Sequence, residues 1–148
     1  MTSTATQAPP VSLAARLLVS VAALFTIVGP FIADWNETHI YNPTWPPHAK
    51  FHNAQTMLLG VALGACALYF VWTRGRDART RFLAGAVFAA LYWITQMASI
   101  TFPGTAFVDP ERAGTGQISG IPVQLVIDVV LLLLLAAAVA LASRRASR

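Results

Sequence analysis

Charge is scarce in this chain. Only 11% of its 148 residues are Asp, Glu, Lys or Arg, where a soluble domain carries about 25%. That shortfall argues against a soluble globular fold, and a hydrophobic content of 56% excludes intrinsic disorder more firmly still. Cysteine is nearly absent. Cys66 stands alone, so there is no intrachain disulfide and no cysteine-based metal cage. Familiar catalytic signatures are missing too: there is no H-E-x-x-H, no G-x-S-x-G and no phosphate-binding glycine loop. The length suits one domain.

What the chain has instead is apolar sequence in blocks. A membrane span needs about 20 apolar residues to cross roughly 30 Å of hydrocarbon. Four stretches qualify: 13–33, 54–72, 82–102 and 118–142. Arg16 interrupts the first near its start and Asp128 is the one charge in the fourth; the second and third carry none. Backbone polar groups in lipid must be bonded internally, so these are read as helices, and no strand-like alternation suggests a barrel. Short links between them predict an all-α, integral membrane, antiparallel four-helix bundle. Gly60/Gly64 and Ala86/Ala90 offer small faces for close helix packing. Cys66 reads as an inert small apolar residue.

The net charge of +4 resembles a nucleic-acid signal until the charges are placed. Arg74, Arg76, Arg79 and Arg81 crowd the link between the second and third helices, Arg144, Arg145 and Arg148 end the chain, and Arg16 begins the first helix. The positive-inside rule then predicts a multi-pass protein, of the plasma membrane, with both termini cytoplasmic and residues 143–148 a basic cytoplasmic tail. The bilayer is the expected partner and nucleic acid is not. Residues 1–11 are polar and expected to be disordered. They lack a basic n-region and no A-x-A site follows, so the first helix is read as retained.

The richest segment is the first link, residues 34–53. It holds all three histidines, two of the six acids and two of the four tryptophans. Asn42-Pro43 reads as a turn, and Asn36-Glu37-Thr38 is a formal glycosylation sequon. Pro46 and Pro47 fit the first turn of a helix, capped by Thr44 or Trp45, that runs into the second span. On it His48 and His52 share a face, which Gln55 and Thr56 continue. Gln96 reaches the same half of the bundle from the third helix, and Gln124 and Asp128 share a face of the fourth. An acid at that depth is costly unless paired, hydrated or protonated, and it normally faces the bundle interior.

These residues predict a cavity open to the outer side. Asp34, Glu37, His39, His48 and His52 form its rim, Gln55, Gln96 and Gln124 its wall, and Asp128 its floor, with Tyr92, Trp93 and Phe102 as apolar lining. The favoured function is an enzyme doing acid/base chemistry without a cofactor on a lipophilic small molecule: isomerisation, cyclisation or epoxide opening. Asp128, His48, His52 and Glu37 are the candidate catalytic groups. The substrate-binding set is Asp34, His39, Trp45, Gln55, Gln96, Gln124, Tyr92 and Trp93. A second reading is one Zn or Cu ion held by His39, His48 and His52. A third is a non-catalytic accessory or binding subunit, as a homo-oligomer or with a partner subunit.

The run Asp34-x-Asn36-x-Thr38-His39-x-x-Asn42-Pro43-x-Trp45-Pro46-Pro47-His48-Ala49-Lys50-Phe51-His52 resembles the signature of a family of small, uncharacterised four-span membrane proteins. The resemblance covers about residues 12–142 and implies the fold but no activity. More loosely, the layout is similar to DoxX-like and EXPERA bundles. In the EXPERA isomerases, acids and a histidine inside the bundle move protons on a lipophilic substrate. This chain has one span fewer, so that analogy implies a reaction class and no residue roles.

Overall fold

A computed structural model describes residues 11–75, 77–109 and 114–144. The tail at 1–10, Arg76, Arg112, Arg145 and Arg148 lie outside the described residues. Four helices run α1 (Leu13–Asp34), α2 (Pro47–Trp72), α3 (Ala78–Ala98) and α4 (Val123–Arg144). A 3-10 turn (Ser99–Thr101) extends α3, and a two-residue hairpin, β1 (Gln117–Ile118) with β2 (Ile121–Pro122), precedes α4. All four helices are long and apolar enough to cross a membrane.

The ends of the helices follow from local chemistry. Ser12 accepts the Ala15 N–H and caps α1. At α2 the cap position falls on Pro46 with Pro47 inside the first turn, just after the Thr44 or Trp45 expected. Proline has no N–H to leave unsatisfied there. Asp77 caps α3 and bonds both the backbone and the hydroxyl of Thr80. These bonds hold the Asp77 carboxyl below the usual carboxylate range. This cap starts α3 four residues ahead of the expected Phe82. Residues 118–122 do not open α4 as the apolar run suggested. Ser119 (φ 52°) and Gly120 (φ 80°) are both left-handed, the pair of dihedrals a two-residue hairpin turn demands.

Each helix turns one stripe of residues inward at spacings of three and four. On α1 the stripe is Ala15, Val19, Ala22, Ala23, Thr26 and Pro30; on α2 it is Met57, Gly60, Gly64, Ala67 and Val71. On α3 it is Phe82, Gly85, Ala86, Ala89, Tyr92 and Trp93, and on α4 Asp128, Leu131, Leu135 and Ala138. Small residues dominate, so the backbones come close. A Cβ at Gly64 would lie 2.6 Å from the Ala23 carbonyl oxygen, and one at Gly60 would lie 2.6 Å from that of Thr26. Between α2 and α3 the close approach is at Gly85, facing the Ala67 carbonyl and Val71, rather than at Ala90, which is only half-buried.

Neighbouring helices pack in sequence order and α4 closes on α1. α1 also touches α3 across the middle. Two indoles tie others to α1: Trp72 Nε1 donates to Ser20 Oγ (2.8 Å) and Trp93 Nε1 to Thr26 Oγ1 (3.0 Å). Each hydroxyl sends its own proton to the carbonyl four residues back, Arg16 or Ala22, which leaves a lone pair for the indole. The outside is apolar, with Leu17, Val21, Phe25, Ile32, Leu58, Val87, Ile94 and Leu133 exposed. Such a surface suits hydrocarbon rather than water.

Candidate functional site

The antiparallel run brings the C-terminal ends of α1 and α3 together with the N-terminal ends of α2 and α4. Between them lies a cavity of about 630 Å³. One wall is α1: Leu24, Phe25, Val28, Gly29, Ile32 and Ala33. Most of these side chains are exposed, so the cavity is open at the apolar surface of the bundle. Tyr92, Trp93, Thr95, Gln96 and Ser99 line it from α3, Gln124 and Ile127 from α4, and Thr56 and Leu59 from α2. Asp34, the last residue of α1, supplies a carboxyl to the lining.

Of the residues the sequence suggested for a cavity, Asp34, Tyr92, Trp93, Gln96 and Gln124 are found in its lining, whereas the α1 wall and Thr95 were not among them. That wall left no periodic mark, because α1 is apolar on nearly every face. Phe102 does not line the cavity and is largely exposed. Asp128 does not line it either. With α4 beginning at Val123, Asp128 lies ~7.5 Å along the helix, at about 1.5 Å per residue. It points into the bundle, fully buried, on the stripe of Leu131 and Leu135. Neither of its carboxylate oxygens meets a hydrogen-bond donor. Tyr92, on the cavity lining, is near enough to both Asp34 and Asp128 to feel their charge. The Gln96 Oε1 oxygen is also buried and without a partner.

Around Asp34 the link folds into a bonded network. Asn53 Nδ2 donates to Asp34 Oδ2 at 2.8 Å, joining α2 to the end of α1. His39 Nε2 stands 3.7 Å from Asp34 Oδ1. The His39 ring also packs edge-on against Trp45, with centroids 5.2 Å apart. Two Asn-x-Thr turns shape the link. Asn36 Oδ1 accepts from the Thr38 N–H and hydroxyl, and Asn42 Oδ1 accepts likewise from Thr44. The Asn36 amide nitrogen donates back to the Ala33 carbonyl. The asparagine of the sequon is thus a structural pin for the link.

These bonds fix where protons sit. Asn36 Oδ1 can only accept, so the Thr38 hydroxyl donates to it. Thr38 Oγ1 is also 2.5 Å from His39 Nδ1. Its proton is already used, so His39 Nδ1–H is the donor in that contact. The Nε2 that faces Asp34 therefore has a lone pair when His39 is neutral. At 3.7 Å the two groups stand at ion-pair rather than hydrogen-bond distance, so a proton passing between them needs that contact to shorten or a water to bridge it.

The three-histidine metal cluster does not form. His39 is committed to Asp34 and Thr38, whereas His48 and His52 meet each other on the exposed face of α2, where Gln55 bonds His52. Among the described residues no group of three or more His, Cys, Asp or Glu side chains gathers as metal ligands. Gln55 therefore belongs to the outer face of α2 rather than the cavity wall. Glu37 is exposed on the link.

Residues 18–148 match a protein family described only as of unknown function, DUF6640. No curated protein and no solved structure matches the chain.

Proposed function

We propose that this chain, which belongs to the DUF6640 family of unknown function, is a multi-pass membrane protein that takes a lipophilic small molecule into its cavity and does acid–base chemistry on it. The observation that carries the reading is the cavity itself. Its walls are mostly apolar, it is open at the apolar surface of the bundle, and its polar lining includes Asp34, Gln96 and Gln124. An apolar substrate can partition from the bilayer and present its polar end to these groups.

The Asp34–His39 pair is the candidate acid/base, because Asp34 lines the cavity and the His39 imidazole stands 3.7 Å behind its carboxyl. This moves the proposed chemistry from His48, His52 and Glu37 to Asp34 and His39. Isomerisation, ring closure and epoxide opening all need a proton placed and a proton removed, which such a pair can supply without a cofactor. Arg74, Arg79 and Arg81 at the opposite end of the bundle, with Arg76 beside them in the sequence, support a cytoplasmic position for that end by the positive-inside rule. The cavity then opens toward the outer leaflet of the plasma membrane, with both termini inside.

The test starts from the full chain purified in mild detergent. Solvent extraction and mass spectrometry should recover a lipophilic compound enriched over an unrelated membrane protein. Ala33→Trp, which fills the cavity, should lose it. In vesicles loaded with the neutral-lipid extract of the producing cells, the protein should convert one component. Asp34→Asn should slow that conversion by about 10²–10⁴-fold, the usual worth of general acid–base catalysis, while keeping the compound bound. If Ala33→Trp retains the compound as well as the parent does, the cavity is not its site. If Asp34→Asn converts it at the parent rate, the pair is not the acid/base.

A further inference from the structure

Apart from the cavity, one cluster of ligand-type side chains stands by itself on the exposed face of α2. We propose that His48 and His52 form a two-histidine site for a borderline divalent transition-metal ion, Zn²⁺ or Cu²⁺, with Gln55 orienting His52. Their Nε2 atoms lie 3.0 Å apart and the rings are set at 78° with centroids 4.5 Å apart. Metal–imidazole bonds are about 2.0–2.1 Å long, so two such nitrogens on one ion stand roughly 2.9–3.4 Å apart between right-angled and tetrahedral geometry. The observed separation falls in that range. Helical spacing of four keeps both nitrogens on one face, so a small turn of the rings brings both onto one ion.

Gln55 settles which nitrogen of His52 is free to bind. Its carbonyl Oε1 is 3.1 Å from His52 Nδ1 and can only accept, so Nδ1 carries the proton and Nε2 keeps its lone pair. This is how metal-binding histidines are commonly oriented from outside the ligand set. Without an ion, His48 Nε2–H donates to His52 Nε2. When an ion binds, that proton leaves Nε2 and the same ring takes one up at Nδ1 through solvent. The His48 ring lies parallel to the exposed Phe51 ring (centroids 6.1 Å apart, interplanar angle 6°), which limits its rotation. No third His, Cys, Asp or Glu among the described residues joins the pair, so water or a partner fills the remaining positions. Imidazole donors favour Cu²⁺ over Zn²⁺ and give hard Mg²⁺ and Ca²⁺ little to bind.

The full chain, purified without a polyhistidine tag, is titrated with Cu²⁺, Zn²⁺ and Mg²⁺ in detergent by calorimetry. One Cu²⁺ or Zn²⁺ should bind per chain, Cu²⁺ more tightly, with no Mg²⁺ uptake. His48→Ala and His52→Ala should each weaken binding by more than tenfold, and Gln55→Ala by about tenfold, the scale of an orienting partner's contribution. His39→Ala should leave metal affinity unchanged. Circular dichroism confirms that these surface variants are folded. Unchanged affinity in either His48→Ala or His52→Ala overturns the site. So does the absence of saturable binding in the parent, or a loss in His39→Ala as large as that in His48→Ala. None of these outcomes depends on the cavity holding a ligand, so this site and the proposed function fail separately.

Discussion

Replacing Gly60 and Gly64 together with alanine should destabilise the bundle more than any other pair of single-methyl additions. In each case the new Cβ would sit 2.6 Å from a carbonyl oxygen of α1, that of Thr26 or of Ala23. A backbone atom cannot rotate away, so α1 as a whole must move off α2 by most of an ångström. Forcing extra atoms into a packed contact costs about 1–3 kcal/mol per site. The two sites share one interface, so their costs need not add. The shift also strains the bonds at either end of that interface, Trp72 to Ser20 and Asn53 to Asp34. Thermal unfolding in detergent, followed by circular dichroism, should show a melting point many degrees below the parent. Gly29→Ala is the control: its Cβ would meet only Trp93 Cη2, at the ordinary contact distance of 3.8 Å. If the double variant melts with the parent, the Gly60/Gly64 contact is not what holds α1 on α2.

That contact shows what could be read from the sequence. Four long apolar helices and their antiparallel order were visible, because apolar runs of that length and short links are redundant signals. Gly60/Gly64 was legible for the same reason: small residues four apart mark a close face. Helix ends were read less well. The third start was missed because the Asp77–Thr80 cap is a short signal beside a run of arginines. The fourth was missed because Ile118, Ile121 and Pro122 are apolar enough to resemble a span, although Ser119-Gly120 turns them into a hairpin. The site divided in a similar way. Residues rare in apolar helices, such as Gln96, Gln124 and Tyr92, stood out and do line the cavity. The histidines did not converge as expected. Sequence spacing sets which residues share a helix face, but the His39 side chain is placed by the irregular Asn36–Thr38 turn. Only the turn's bonds, not residue spacing, show that His39 pairs with Asp34 and is separate from the pair on α2.

Asp128→Leu should make the protein more stable and less active. The carboxyl is fully buried on a stripe otherwise built from Leu131, Leu135 and Ala138, and neither oxygen meets a donor. A buried polar group without a hydrogen bond costs about 1–3 kcal/mol in mutational series, and an acid in a spanning helix costs a few kcal/mol. Leucine has similar volume, continues the stripe and removes that cost, so the melting point should rise. Asp128→Asn keeps an amide that also needs partners, and should stay near the parent. A group that lowers stability at a central position is expected where function requires it. Here the connection is Tyr92, which lines the cavity and lies within reach of both Asp34 and Asp128. Removing the deep carboxyl changes the field across Tyr92 at the polar end of the cavity, so turnover should fall even as stability rises. The two measurements are made on the same purified variant. A lower melting point for Asp128→Leu would mean that the carboxyl is satisfied by water or ligand in the native protein. A higher melting point with unchanged turnover would remove Asp128 from the chemistry and leave Asp34 and His39 to carry it alone.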